Sequence, residues 1–388
     1  MPRTIRFRIA GFASLRPTGL AGAIFLLLCG CAQAVSVEKS EQANFRVETV
    51  AEGLEHPWGM AFLPGGGMLV SERVGRLRLI TADGKLRKKP VRGIPKVVAR
   101  GQGGLLDVAL HPDFTRNRWV YLSYSGRGRE GVNTEVARAR FDGIELSDLQ
   151  IIFRARPKVS TGYNHFGSRL LFDRDGFLFV TLGDRYHLRD RAQSVEDHLG
   201  TIVRLHDDGR VPGDNPFVGR DGAMPEIYTY GHRNAQGIAL RPGTNTVWMH
   251  EHGPRGGDEV NILKPGANYG WPAITYGIDY SGAIISDKTE APGMEQPVVY
   301  WVPSIAPSGM AFYDGDHFPQ WKGDLFVGAL AKRHLRRLEL EGDRVVGQEQ
   351  LLRDLDERIR DVRSGPDGYL YLLTDSSNGR ILRLVPAE

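Results

Sequence analysis

Residues 168–184 read SRLLFDRDGFLFVTLGD: an apolar run, an Asp-Gly turn and a second apolar run closing on Gly183-Asp184. Two short β-rich runs around Asp175-Gly176 specify an antiparallel hairpin, because Asp-Gly adopts the backbone that a tight turn demands. The same plan recurs five more times. GMAFLPGGGMLVSER starts at Gly59, LLDVALHPDFTRNRWVYLSYS at Leu105 and QGIALRPGTNTVWMHEH at Gln236, followed by SGMAFYDGDHFPQWKGDLFVGAL at Ser308 and IRDVRSGPDGYLYLLTD at Ile359. Successive copies begin roughly 45 to 75 residues apart, a blade-sized period with loop insertions, and long helical periodicity is hard to find. The expectation is an all-β chain: a six-bladed β-propeller of four-stranded antiparallel blades over residues 45–388. A strand at 45–50 would pair beside residues 380–384 to close the ring. A large β-sandwich or a β-helix is the alternative, and the uneven spacing of the hairpins argues against a tight-period solenoid.

The N-terminus is of a different kind. Arg3, Arg6, Arg8 and Arg16 occur without any acid, then comes the apolar run 21–28, then small residues. That order is an export signal, read as residues 1–31, with residues 32–44 as a short linker. Gly30-Cys31 after the apolar run marks a lipoprotein cleavage box that would leave Cys31 as a lipid anchor; Ala32-Gln33-Ala34 offers an ordinary cleavage site instead. Removing the signal takes away four of the 50 Lys and Arg and leaves 46 against 46 acids, so a nucleic-acid footprint is not supported. Cys29 and Cys31 are the two cysteines, and no internal disulfide remains for an oxidising compartment to form.

In a propeller the loops of one rim converge over a central channel, so residues distant in sequence meet there. Residues 230–272 concentrate polar groups on such loops. Polar residues also share a phase, each just before the inner strand of its repeat: Gln102, His165, Arg233 with Asn234, and Arg358 with Arg360. His165 is the base candidate. Asp184, at the end of the same hairpin, would fix its tautomer and raise its basicity. Three arginines, whose planar forks match carboxylates and phosphates, imply a multiply anionic ligand. Asp258 and Glu259 among carbonyl-rich loops suit calcium better than zinc, or are solvated turn acids. His250 and His252 alternate on one strand, but no third nitrogen or sulfur ligand stands at a persuasive spacing for zinc.

LEHPWGMAFLPGG, GQGGLLDVALHPDF, HFGSRLLFDRDGFLFVTLGD, YGHRNAQG, GPRGGDEVN with NYGWP, PSIAPSGMAFY and RIRDVRSGPDG follow in one order from Gly53 onward. Together they resemble the soluble PQQ-dependent glucose/aldose sugar dehydrogenase family. The resemblance implies PQQ (pyrroloquinoline quinone) at the channel rim and calcium holding it. His165 would be the general base that takes the anomeric proton as hydride passes to the quinone, with Asp184 orienting it. Gln102, His165, Arg233, Asn234, Arg358 and Arg360 would contact the cofactor. The carbonyls of Gly253 and Pro254 would hold the cofactor-side calcium, and Glu259 with the carbonyl of Tyr269 a second, structural one. Many members carry a lysine after Gly-Ala-Leu in the fifth blade. This chain has Ala331 there and Lys332 one position later, and one position reverses a side chain's direction on a strand.

The function expected is an exported periplasmic quinoprotein that oxidises aldoses at C1 to lactones and passes electrons to an acceptor outside the cytoplasm, as a monomer or homodimer. The rival enzyme is a calcium-dependent propeller lactonase in which His165 activates water; the rival non-enzyme is a binding module that has lost catalysis. A lactonase would need acidic calcium ligands at the channel mouth, where arginines and amides stand here.

Overall fold

All six hairpins form, each as the inner two strands of a blade. They are Pro57–Phe62 with Met68–Glu72, Leu105–Leu110 with Trp119–Arg127, Leu170–Phe172 with Leu178–Thr181, Ala235–Leu240 with Val247–Glu251, Pro307–Phe312 with Leu325–Ala329, and Ile359–Ser364 with Leu370–Thr374. We number the blades 1 to 6 in that order. The structure is a computed structural model in which residues 37–387 are described; the export signal, Cys31 and the start of the linker lie outside the described residues.

Blades 2 to 5 have four antiparallel strands each, and the molecule is a six-bladed β-propeller. Blade 1 has three strands, and a bridge from Leu77 to Val91 stands in for the fourth. Blade 6 has five. Its closure pairs Asn44–Leu54 with Gly379–Pro386 in the register Phe45↔Pro386 to Thr49↔Leu382, so the first long strand of the chain completes the last blade. Val37–Lys39, inside the stretch read as linker, adds the outermost strand of that blade. Helix among the described residues is limited to Phe114–Asn117 and two 3-10 segments.

The apolar alternation along these strands is buried between blades rather than at the axis. Phe45, Trp321, Phe326, Leu335, Leu382 and Leu384 fill the joint between blades 5 and 6, and Trp248 of blade 4 meets Phe312 of blade 5 edge-on at 5.5 Å. At the axis the inner strands instead bury charge. Arg169 of blade 3 meets Asp361 of blade 6 at 2.8 Å and Asp107 of blade 2 at 3.5 Å, while Arg363 reaches Asp107 at 3.0 Å and Asp361 at 2.9 Å. Blade 1 donates Met60 N–H to Asp361 at 3.2 Å, and blade 4 accepts from Arg169 Nε at Gln236 O, 2.7 Å. Two glycines make room for the carboxylates: a Cβ would fall 2.4 Å from Asp107 Oδ1 at Gly59 and 2.2 Å from Asp361 Oδ1 at Gly309. This is why the tripeptide Gly-Met-Ala appears on the inner strands of both blade 1 and blade 5.

Removing one partner of a buried pair strands the other's charge, which costs about 3–5 kcal/mol. Asp361→Ala, which leaves Arg169 and Arg363 with Asp107 alone, is expected to lower the urea midpoint accordingly, measured by circular dichroism against the parent protein.

Candidate active site

His165 lies just before the inner strand of blade 3 and Asp184 just beyond the end of the second strand, so one hairpin delivers both to the same rim. His165 Nδ1 is 2.6 Å from Asp184 Oδ1. The carboxylate also accepts from Tyr186 N at 2.7 Å and Trp271 Nε1 at 2.8 Å. His165, Arg185 and Tyr186 all have left-handed backbone, with φ of 52°, 61° and 68°. Such conformations cost of order 1–3 kcal/mol each in non-glycine residues and persist where the surroundings over-determine them. What they fix here is the His165 ring, edge to face with Tyr186 at 5.2 Å. Burial lowers the proton affinity of His165, aided by the charges of Arg233 and Arg185 and opposed by Asp184. Asp184, though its burial pulls the other way, is held below the ordinary carboxylate value by His165 and Arg233. The pair is a neutral imidazole against an ionised carboxylate: Nδ1–H donates to Asp184, and Nε2 is left with its lone pair.

On one side of this pair is a cavity of 540 Å³ at the mouth of the axial channel, lined in part by Gln102, Phe166, Asn234, Gln236, Arg358 and Arg360. Gln102 Oε1 accepts His165 N–H at 2.8 Å and Asn234 Oδ1 accepts Gly167 N–H at 3.1 Å, which leaves both amide NH2 groups for a ligand. Arg360 donates to Asp375 Oδ2 at 2.7 Å and Arg358 to Leu330 O at 3.0 Å, while Arg360 Nε is buried with no partner. Against its burial, Arg360 and His56 hold the Asp375 carboxyl well below the usual range. On the other side is a cavity of 350 Å³ lined by Tyr186, His187, Arg189, Asp190, Arg233 and Trp271 among others. Tyr280 borders both cavities.

The structure thus brings Gln102, Asn234, Arg358 and Arg360 around one cavity and puts Arg233 on the other; His165 and Asp184 line neither, but their chain neighbours Phe166 and Tyr186 line the first and the second. Lys332 is exposed and lines neither. Sequence reasoning missed His56, Asp375 and Tyr280. His56 holds in blade 1 the phase position examined only for the other five blades, and Asp375 closes the sixth hairpin as Asp184 closes the third, so both left a legible signal. Tyr280 left none, because it sits on an insertion with no repeat phase, between Trp271 and Val299–Trp301.

The cation candidates divide. Asp258 accepts from Gly253 N, Ser304 Oγ, Ile305 N and Ala306 N at 2.7–3.1 Å, so its carboxylate staples blade 4 to the entry of blade 5 and has no room for a metal. Glu259 faces Glu251 across adjacent strands, and burial with that second carboxylate pushes it up to about 8. Beside it, Asn261 donates at 3.3 Å but leaves its own Oδ1 buried without a partner. An oxygen-rich pocket short of positive charge suits a hard cation. The Gly253 carbonyl accepts from Arg233 Nη1 at 2.7 Å, which places a guanidinium beside any cation held there. Among the described residues no three acidic, histidine or cysteine side chains converge on a metal position. His250 is fully buried and unpartnered, and His252 Nε2 lies on Pro307 O at 2.5 Å, so the two histidines share no ligand.

Residues 54–383 match the family described as Glucose / Sorbosone dehydrogenase. The aldose sugar dehydrogenase YliI of Escherichia coli K12 is 50% identical over 350 residues, 89% of this chain and 94% of its own. The crystal structure of the soluble aldose sugar dehydrogenase of E. coli in the apo form superposes with a TM-score of 0.85 at 48% identity, covering 88% of this chain and 100% of that one. The PQQ-bound form of the Streptomyces coelicolor aldose sugar dehydrogenase does so at 0.73 and 30% identity, covering 88% and 98%. With the match running across all six blades and the rim residues that the repeats bring together, the chain belongs to the glucose/sorbosone dehydrogenase family.

Proposed function

We propose that this protein is a PQQ-dependent aldose sugar dehydrogenase that oxidises the anomeric C1 hydroxyl to the lactone, with His165 as general base. The observation that carries the reading is the His165–Asp184 pair beside an arginine-lined cavity on one side and a polar, aromatic one on the other. The PQQ-bound relative supports the cofactor. So does the donor set: Arg358, Arg360 with its unpartnered Nε, and the free amides of Gln102 and Asn234 fit a flat ligand bearing several carboxylates.

When bound, the quinone supplies a two-electron acceptor for the hydride leaving C1. The protein does the rest. Asp184 holds Nδ1–H, so His165 Nε2 points its lone pair at the hydroxyl whose proton must leave. Trp271 and Tyr186 N–H fix Asp184 in turn, and the low proton affinity of His165 keeps it unprotonated near neutral pH. Arg233, on the sugar side, now binds the Gly253 carbonyl. The carbonyls of Gly253 and Pro254 would hold the cofactor-side calcium next to that guanidinium. Glu259, with Asn261 beside it, and the Tyr269 carbonyl would hold a second, structural calcium. The enzyme is exported, anchored through Cys31, and delivers electrons to an acceptor outside the cytoplasm. Against the lactonase reading, Asp375, an acid bordering the first cavity, is bound by Arg360 and His56.

Purified protein supplied with PQQ and calcium should reduce a redox dye with aldoses; no bound quinone and no turnover with any aldose would refute the proposal. His165→Ala is expected to lower kcat on the order of 10²–10⁴-fold while quinone binding, followed by absorbance, persists. The acid limb of the kcat/KM profile should lie below the ordinary histidine value of 6.5, because protonation of His165 removes the base and burial has lowered its affinity for that proton. Calcium should raise Tm in the parent protein, and Glu259→Gln should abolish that rise without abolishing folding.

A further inference from the structure

Arg185 follows Asp184 directly and is fully buried, yet it forms no ion pair among the described residues. Its Nη2 donates to Gly162 O at 2.8 Å, and its Nε and Nη1 have no partner at all. The guanidinium lies 3.7 Å from the centroid of the Phe166 ring, and Phe166 is the neighbour of His165 and a wall of the 540 Å³ cavity. A buried cation with two unmet N–H groups and no carboxylate of its own is a liability for folding. A stack on an aromatic face offsets only part of that cost. It also stands on left-handed backbone, φ 61°. Nothing in the packing requires a charge here, since a methionine would fill the same volume against Phe166.

We propose that Arg185 is a positioning residue of the base: its buried charge behind Phe166, which forms no ion pair of its own, keeps the proton of the His165–Asp184 pair on Nδ1 and keeps Nε2 free. The inference rests on the reading of His165 as the base. The groups facing His165 are Asp184 at 2.6 Å, the Tyr186 ring at 5.2 Å, the charges of Arg233 and Arg185, and the buried His252. Asp184 alone would draw a second proton onto the imidazole. Arg233 opposes that from the second cavity, whose lining it shares and where a ligand can approach it. Arg185, sealed behind Phe166, opposes it whatever occupies the cavities.

The test is an NMR titration of ¹⁵N-labelled imidazoles in protein free of quinone, so failure of the cofactor reading leaves the readout intact. His165 in the parent protein should carry its proton on Nδ1 and titrate below 6.5, the ordinary value. Arg185→Met should raise that midpoint by about one pH unit, a tenfold gain in proton affinity, and move the acid limb of kcat/KM with it. Arg185→Lys should hold the midpoint near the parent value. A purely structural role would lower Tm in both variants and leave the midpoint where it was. An unchanged midpoint in folded Arg185→Met overturns the proposal, as does a parent midpoint at or above 6.5. Should Arg185→Met fail to fold, Arg185→Gln, which also removes the charge, replaces it: a midpoint raised above the parent's supports the proposal, and an unchanged one overturns it.

Discussion

Six inner strands converge on the axis, and what they bury there is a cross of two arginines and two aspartates rather than an apolar plug. Arg169, Arg363, Asp107 and Asp361 come from blades 2, 3 and 6, and blades 1, 4 and 5 contribute a backbone donor, a backbone acceptor and a glycine that gives way. A buried ion pair is a weak source of stability compared with well-packed hydrophobic residues, but it is directional. Each carboxylate accepts only along its lone pairs, so the quartet fixes how the blades stand relative to one another. The rim depends on that angle. Arg169 Nη2 also holds Arg360 O at 3.0 Å, and its guanidinium covers Trp58 at 4.2 Å, so the quartet is the floor of the arginine-lined cavity.

Above that floor, Asp375 manages a second electrostatic problem. Arg358 and Arg360 are two positions apart on one strand edge and repel each other in the absence of an anion. Asp375 binds Arg360 at 2.7 Å, stands 3.5 Å from Arg358 and also takes His56 Nδ1 at 3.0 Å. The arginines are therefore held apart in position before any ligand arrives, which reduces the ordering cost of binding. They are not equivalent. The Arg360 side chain is 11% exposed and the Arg358 side chain 41%, so the first is a fixed contact and the second an adjustable one at the mouth.

Much of this was legible in the sequence, and for a physical reason. Strand periodicity and turn chemistry are local, so six hairpins can be counted, and their common phase assigns Gln102, His165, Arg233, Asn234, Arg358 and Arg360 to one rim. Even the closure by residues 45–50 followed, because an unpaired β-rich run at one end of the chain needs a partner at the other. The stretch 230–272, by contrast, looked like a single centre and is three things: Arg233 and Asn234 at the cavities, Asp258 as a staple, and Glu259 in a separate oxygen-rich pocket. Burial and hydrogen-bond saturation separate Asp258 from its neighbour Glu259, and neither quantity is written in a two-residue acidic pair. The Arg169 quartet was equally hidden. Its members stand at 107, 169, 361 and 363, and no local pattern relates residues that meet only because a ring closes.

The placement of the base follows from the same distinction between local and assembled geometry. His165 and Asp184 belong to one hairpin, so their 2.6 Å contact survives small motions of blades against one another. The cationic groups come from blades 4 and 6, and Arg233 has an alternative partner in the Gly253 carbonyl. A proton transfer tolerates little error in donor–acceptor distance, whereas attraction between a guanidinium and a carboxylate falls off gently with distance. A fold that carries some of its rim groups within one blade and gathers others from different blades accommodates both demands. In the mechanism proposed, the group that must hold its orientation sits within a blade, and the groups that supply only charge are shared across the ring.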